Sequence, residues 1–399
     1  MGEPLLSDPF AVGAVVTLLI ALAFFLDRRL RIFSFFGTAI MVITGAAILV
    51  NLRVIPPSIP VGGQQEINPV YVFAGEYAVP LAIVMLLMTA DLGSLRRLGR
   101  PATLAFVLGA AGAAIGAFVA ALLLSGAIGE ETWKLGGQFT GSYIGGGVNY
   151  AAVGEALNMS DTLFATGAAA DTVTTNLWFV MTALIPVVLL RFYPSIYGGR
   201  RSDDDGGTPA ADDEAEEYWE RKEISVYDIV YLLAATFVVV AVSTLISTPI
   251  NEAVGFEIPV EIWYTTLALL AALTPVNRLS GGEEIGNVLL HWFFVVLGAG
   301  AVLSTLVEKG PVVFLFLLIL VCIHGFIIFG GGRLLKIEIE TLSVASQACV
   351  GGPSTSLALA ISKRWRALVT PAVLMGVLGY AIGNYAGVGM GFLLRAIIG

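Results

Sequence analysis

Two short stretches hold most of the residues that could do chemistry. Phe139 to Asn149 reads FTGSYIGGGVN, and Ser346 to Ser356 reads SQACVGGPSTS. Both are rich in glycine, hydroxyls and carboxamides, and both interrupt long apolar runs. Setting Ile144-Gly145-Gly146 over Val350-Gly351-Gly352 aligns them at an offset of 206 residues. Thr140 then falls on Ser346, Gly141 on Gln347 and Asn149 on Thr355. Glycine opens backbone conformations closed to other residues. A helix restarting after such a turn offers free N–H groups and a positive dipole end. An anion can be held there without a basic side chain. The binding candidates are therefore Ser142, Gly145, Gly146 and Asn149 with Gln347, Gly351, Gly352, Ser354 and Thr355. Pro353 suits the first turn of the restarting helix, where a missing N–H costs nothing. The structural reading is that these glycines only make turns; the hydroxyls and amides that accompany them weaken it.

Asp171 is the sharpest single residue. It lies inside an apolar run as Asp171-Thr172-Val173-Thr174-Thr175-Asn176, and Thr174 and Thr175 share its helix face one turn on. A carboxylate with hydroxyl and amide oxygens suits Na⁺ or a proton relay. Asp171, Thr174, Thr175, Asn176 and Ser346 form the candidate cation set, against the bland reading of an interhelical hydrogen bond. Glu155 is a weaker candidate near the mouth of the first stretch. His291 and His324 stand alone on apolar segments and read as satisfied core residues, with no second ligand at transition-metal spacing.

The elements that must position these residues cross a membrane. The 399-residue chain is 57% hydrophobic and 13% charged, with a mean hydropathy of +0.87. A soluble domain carries about 25% charge, so a soluble enzyme is excluded. Cys322 and Cys349 form no CxxC site or disulfide framework. The net charge of −9 argues against nucleic acid. The acidic GEPLLSDP start lacks the positive n-region of a cleaved signal peptide.

Apolar runs of about 20 residues predict ten spans, near 10–26, 35–52, 71–92, 102–124, 162–190, 226–246, 262–276, 285–306, 312–329 and 368–398. The two glycine stretches precede the fifth and last of these. Residues 193–224 read as an acidic, solvated linker. It separates a first repeat, 1–192, from a second, 225–399. Pro101 and Pro311 open the fourth span of each half. With five crossings and one re-entrant hairpin per half, most Lys and Arg fall on one side. Arg28, Arg29, Arg31, Arg96, Arg97, Arg100, Arg191, Arg278, Arg333, Lys336, Lys363, Arg364 and Arg366 are then inside. The expected fold is all-α and polytopic, with two inverted-topology repeats of five helices and a hairpin. The N-terminus is outside and the linker cytoplasmic.

TGSYIGGGVNYAAVGEAL with ATGAAADTVTTNLWF, and VASQACVGGPSTSLALA with TPAVLMGVLGYAIGNYAG, resemble the YjcL-like membrane proteins, domain-of-unknown-function family 819. The resemblance covers nearly the whole chain except the linker. More remotely, the layout is similar to sodium/glutamate symporters and 2-hydroxycarboxylate transporters. That similarity implies a dimer and an elevator-like motion, with hairpin tips at Gly145, Gly146, Asn149 and Gly351, Gly352, Ser354. Two departures argue against a dicarboxylate: no arginine stands in the interior of a span, Arg395 being at the end of the last, and the counterpart of Asp171 is apolar, near Val377. The expectation is a secondary active transporter of a small polar solute, anions included, coupled to Na⁺ or H⁺, in the cell membrane as a homodimer. It has no cofactor and no enzymatic activity. The alternatives are a passive ion or small-solute channel and a non-transporting membrane sensor.

Overall fold

A computed structural model describes residues 4–58, 67–196, 223–255, 257–300 and 303–399. Most of the acidic linker lies outside the described residues. Among those described, the regular structure is entirely helical. The main helices are α1 (Pro9–Arg29), α2 (Arg31–Asn51), α3 (Pro69–Met88), α4 (Arg100–Ile128), α5 (Thr132–Gly145), α6 (Gly147–Ala156) and α7 (Asp161–Leu189). After the linker come α8 (Val226–Val254), α9 (Val260–Ala271), α10 (Gly282–Gly300), α11 (Leu303–Leu334), α12 (Ile339–Ser362) and α13 (Val369–Ile398).

Each expected span overlaps a helix, but the eighth, expected to reach 306, has its helix over Gly282–Gly300, and the next helix begins at Leu303. Seven helical segments are long and apolar enough to cross a membrane: Pro9–Arg29, Pro69–Met88, Arg100–Ile128, Asp161–Phe192, Val226–Val254, Glu308–Leu334 and Arg366–Ile398. Gly37–Asn51 and Val260–Ala271 are shorter apolar helices. The seventh span thus stops at Ala271 rather than near 276, because Pro275 opens a separate short turn. Local chemistry sets several ends. Asp8 caps α1 by accepting from the Ala11 N–H at 3.0 Å, and Arg28 and Arg29 sit at its negative end. Ser225 and Asp228 cap α8 reciprocally. In α3 the turn over Phe73–Ala78 widens to π geometry. Pro80 follows it, and proline has no N–H for the Glu76 carbonyl and a ring that would strike it.

Packing pairs the helices in a regular way. α4 lies along α11, α5 along α13, and α12 along α7. α2 packs on α10 and α3 on α9, while α1 covers α2 and α8 covers α9. The α5–α13 contact is close along its length. A β-carbon at Gly137, Gly141 or Gly145 would stand 2.8, 3.3 or 2.5 Å from the carbonyl oxygens of Gly387, Gly383 and Gly379. Small residues at four-residue spacing on both helices let the backbones meet.

Candidate functional site

Both glycine stretches fold back on themselves. The Gln138 Nε2 donates to the Tyr150 carbonyl at 3.2 Å, and a β-carbon on Gly141 would strike Val153. A β-carbon on Gly137 would likewise strike Leu157 and one on Gly145 would strike Asn149, so the pairings open out from Gly145–Asn149 through Gly141–Val153 to Gly137–Leu157 and α6 returns beside α5. The Thr355 hydroxyl lies 3.5 Å from the Gln347 carbonyl. Eight residues of straight helix would separate them by about 12 Å, so α12 also returns, at Gly352. The turning residues are Gly146 (φ 83°, ψ −166°) and Gly352 (φ 75°, ψ −166°). These near-identical conformations are open only to glycine. They lie 206 residues apart, as the sequence alignment requires. The two tips touch: a β-carbon on Gly146 would be 3.3 Å from the Cα and N of Gly352.

Unpartnered polar groups surround this contact. The Ser142 hydroxyl and Gln347 Nε2 are buried without a hydrogen-bond partner. Buried polar atoms of this kind call for an explanation such as a ligand or water. Gly147 and Ser354, in the first turns of the two returning arms, are exposed. Gly351 and Thr355 are half-buried. The tips are thus open on one side, and two helix N-termini start there. Asn149 faces away from the opening. Its carboxamide meets that of Asn384 on α13 at 2.8 Å, and Asn384 Nδ2 donates to Thr265 of α9 at 2.7 Å. Gly145 is engaged in the α5–α13 seam.

α7 presents one face to each hairpin in turn. Its first half meets the first hairpin: the Tyr150 hydroxyl donates to the Phe164 carbonyl at 2.5 Å. Its second half meets the second hairpin: the Thr182 hydroxyl donates to Gln347 Oε1 at 3.2 Å, and Trp178 reaches Ser346. Asp171 sits at the changeover and is half-buried. Thr175 Oγ1 lies 3.5 Å from its carboxylate, and the Tyr143 phenol of α5 faces both. The other expected oxygens are partly committed. Thr174 donates to the Ala170 carbonyl at 2.9 Å and Asn176 to the Thr172 carbonyl at 2.9 Å, so their oxygens remain acceptors.

Ser346 belongs to a directional relay. His324 Nδ1 is 2.9 Å from the Gly109 carbonyl, which can only accept, so Nδ1 carries the proton. Nε2 therefore accepts from the Ser346 hydroxyl at 2.8 Å. Ser346 in turn accepts from the Trp178 indole N–H at 2.9 Å. The relay ties α7, the second hairpin, α11 and α4 together. His291 is likewise satisfied, by Asn287 and Thr38.

The base of each hairpin is clasped. Glu131 takes Ser160 Oγ at 2.5 Å and pairs with Lys134 at 2.7 Å, while Lys134 reaches the Asn158 carbonyl at 2.6 Å. Burial pushes the Glu131 carboxyl up, but Lys134 and Ser160 together hold it below its ordinary value. At the position aligned with Lys134, Glu340 accepts from the Ser195 hydroxyl and, at 3.3 Å, from the Ile196 N–H. Among the described residues no three His, Cys, Asp or Glu side chains gather as a metal site.

Sequence reasoning missed Tyr143, Trp178, Thr182 and Asn384. Tyr143, Trp178 and Asn384 were inside a quoted motif and Thr182 lies three residues beyond one, but none meets a matching residue at the 206-residue offset.

The comparisons identify the family. A family model described as "Protein of unknown function (DUF819)" matches residues 14–397. The uncharacterized membrane protein YjcL of Bacillus subtilis (strain 168) is 31% identical over 393 residues, 96% of each chain. Membrane-crossing helices, paired glycine turns and this similarity lead to one conclusion: the chain belongs to the DUF819 family of membrane proteins.

Proposed function

We propose that this protein is a secondary active transporter built from two inverted repeats, each of five spans and a re-entrant hairpin. The packing supports the repeat. Exchanging the halves turns α5–α13 into α12–α7, α2–α10 into α9–α3 and α1–α2 into α8–α9, and leaves α4–α11 in place. The observation that carries the function is the meeting of Gly146 and Gly352 inside the bundle, beside unpartnered Ser142 and Gln347. Broken helices whose ends converge are the usual construction of a transporter site. The solute is small and polar, anions included, since N–H and hydroxyl donors dominate the tips. Na⁺ or H⁺ at Asp171 drives it, with Thr174, Thr175 and Asn176 as neighbouring oxygens, while Ser346 is engaged by Trp178 and His324. The hairpins, α7 and α13 move together against a dimeric scaffold of early spans. The N-terminus faces outward and the linker lies in the cytoplasm of a cell-membrane protein with no enzymatic role and no cofactor.

Thermal unfolding of the purified chain in detergent tests this, titrating Na⁺ against choline at constant ionic strength, and separately pH. A ligand bound only to the folded state at about 100 times its dissociation constant adds roughly 2.7 kcal/mol. The expected shift with Na⁺ or with pH disappears in Asp171→Asn. No response to either ion, with solute flux independent of gradients, would instead make the protein a channel.

A further inference from the structure

Tyr143 has no role in the set derived from sequence, yet its position is unusual. The side chain is fully buried, and its hydroxyl has no hydrogen-bond partner. That hydroxyl faces the Asp171 carboxylate and the Thr174 and Thr175 hydroxyls, the polar groups next in reach. Tyr143 is also three residues from the Gly146 tip, and its neighbour Ser142 carries one of the unpartnered hydroxyls. Its ring packs edge-on against Phe139 at 6.0 Å, so the phenol is held by the first arm of the hairpin. Tyr150, on the returning arm, is the other titratable group near Asp171, but its hydroxyl is committed to Phe164. Among the described residues no charged side chain faces Asp171.

We propose that Tyr143 is the positioning residue that passes the occupancy of Asp171 to the first hairpin. This rests on the cation-coupled reading above. The phenol keeps its proton throughout. When the carboxylate is charged and empty, it is the strongest acceptor within reach, and the phenol donates to it and draws the first arm toward α7. When Na⁺ is bound, the cation takes up the carboxylate's charge with the Thr175 hydroxyl and the phenol is released. When Asp171 is protonated, the carboxyl loses most of its accepting strength and the phenol is released. In each loaded state the Tyr143–Asp171 contact changes, and the tip three residues away changes with it.

The test uses a cysteine reporter in the full chain. Gly147→Cys places a thiol on the exposed tip, where a β-carbon meets nothing within 4 Å. Cys322→Ser removes the exposed native thiol, and Cys349 is buried. Maleimide labelling is followed in Na⁺ against choline and across pH, normalised to the unfolded chain. The reporter's rate is expected to change severalfold with whichever ion loads Asp171. Tyr143→Phe removes only an oxygen that has no partner, so it should fold normally and keep an ion-induced thermal shift, yet lose the ion dependence of labelling. Equal ion dependence in the reporter and its Tyr143→Phe variant would overturn the proposal. A thermal shift without any labelling response in the unsubstituted reporter would overturn it as well, leaving the coupled-transport reading intact. Absence of both responses would overturn that reading and the proposal together.

Discussion

Two serines separate groups that hold the fold from groups held in reserve. Ser346 is engaged on both sides, donating to His324 and accepting from Trp178. Ser346→Ala leaves an imidazole nitrogen and an indole N–H unpaired in a dry interior. An unsatisfied buried group costs about 1–3 kcal/mol, so the unfolding midpoint in detergent should fall clearly. Ser142 is as deeply buried but unpartnered. Ser142→Ala should leave stability unchanged or raise it, because it removes an orphan hydroxyl, while weakening solute-induced stabilisation. A loss matching that of Ser346→Ala would mean the Ser142 hydroxyl serves the fold and not a ligand. The sequence made Ser142 and Ser346 visible for the same reason, a hydroxyl beside a glycine pair. It could not tell them apart, because the distinguishing partners, Trp178 and His324, lie 168 and 22 residues from Ser346 in the chain.

At the scale of the element, the hairpins depend on one residue each. Gly146 and Gly352 hold φ near +80° with ψ at −166°, a region essentially closed to side chains, where strain costs of order 1–3 kcal/mol. Gly146→Ala adds a contact at 3.3 Å to the facing tip. It should therefore destabilise more than Gly147→Ala, whose β-carbon meets open space; equal midpoints would remove the argument that the turns are fixed at these two glycines. The paired motifs made the turns legible, since a glycine pair in an apolar run has few other uses. The base of the hairpin was not legible. Glu131, Lys134 and Ser160 look like ordinary loop residues until the chain folds back. Because the folded Glu131 carboxyl lies below its ordinary value, its contribution is present above that value and is lost as pH falls through the lower, folded one. The pair is partly exposed, so the effect is below about 1 kcal/mol. Glu131→Gln should lower stability slightly at neutral pH and flatten the acid limb of the stability–pH curve, converging with the parent chain in acid.

For the whole molecule, the question is which helices travel together. α4 and α11 meet along their length, with Gly112 and Gly116 close against the backbone of His324 and Leu320. α5 and α13 meet through their glycine seam. Contacts this close leave little room for sliding, so α4 and α11 would travel with the hairpins, α7 and α13 of the proposed mobile body. Its links to the scaffold are sparser. On the α9 side they include Asn384 to Thr265 and Tyr385 to Thr266, the latter pair of hydroxyls 2.8 Å apart. The Tyr385–Thr266 pair is exposed and the Asn384–Thr265 pair buried, so few groups must exchange partners, and this boundary is where an elevator-like motion would occur. A reversible cross-link between Thr266→Cys and Tyr385→Cys should therefore stop solute flux, and cleavage of the link should restore it. A link within the body, between Leu108→Cys and Gly331→Cys, whose sites pack against each other across α4 and α11, should leave flux intact. Flux that survives the first link would place the moving boundary elsewhere. Flux lost with the second would mean α4 and α11 shift against each other, and the body would have to be divided between them.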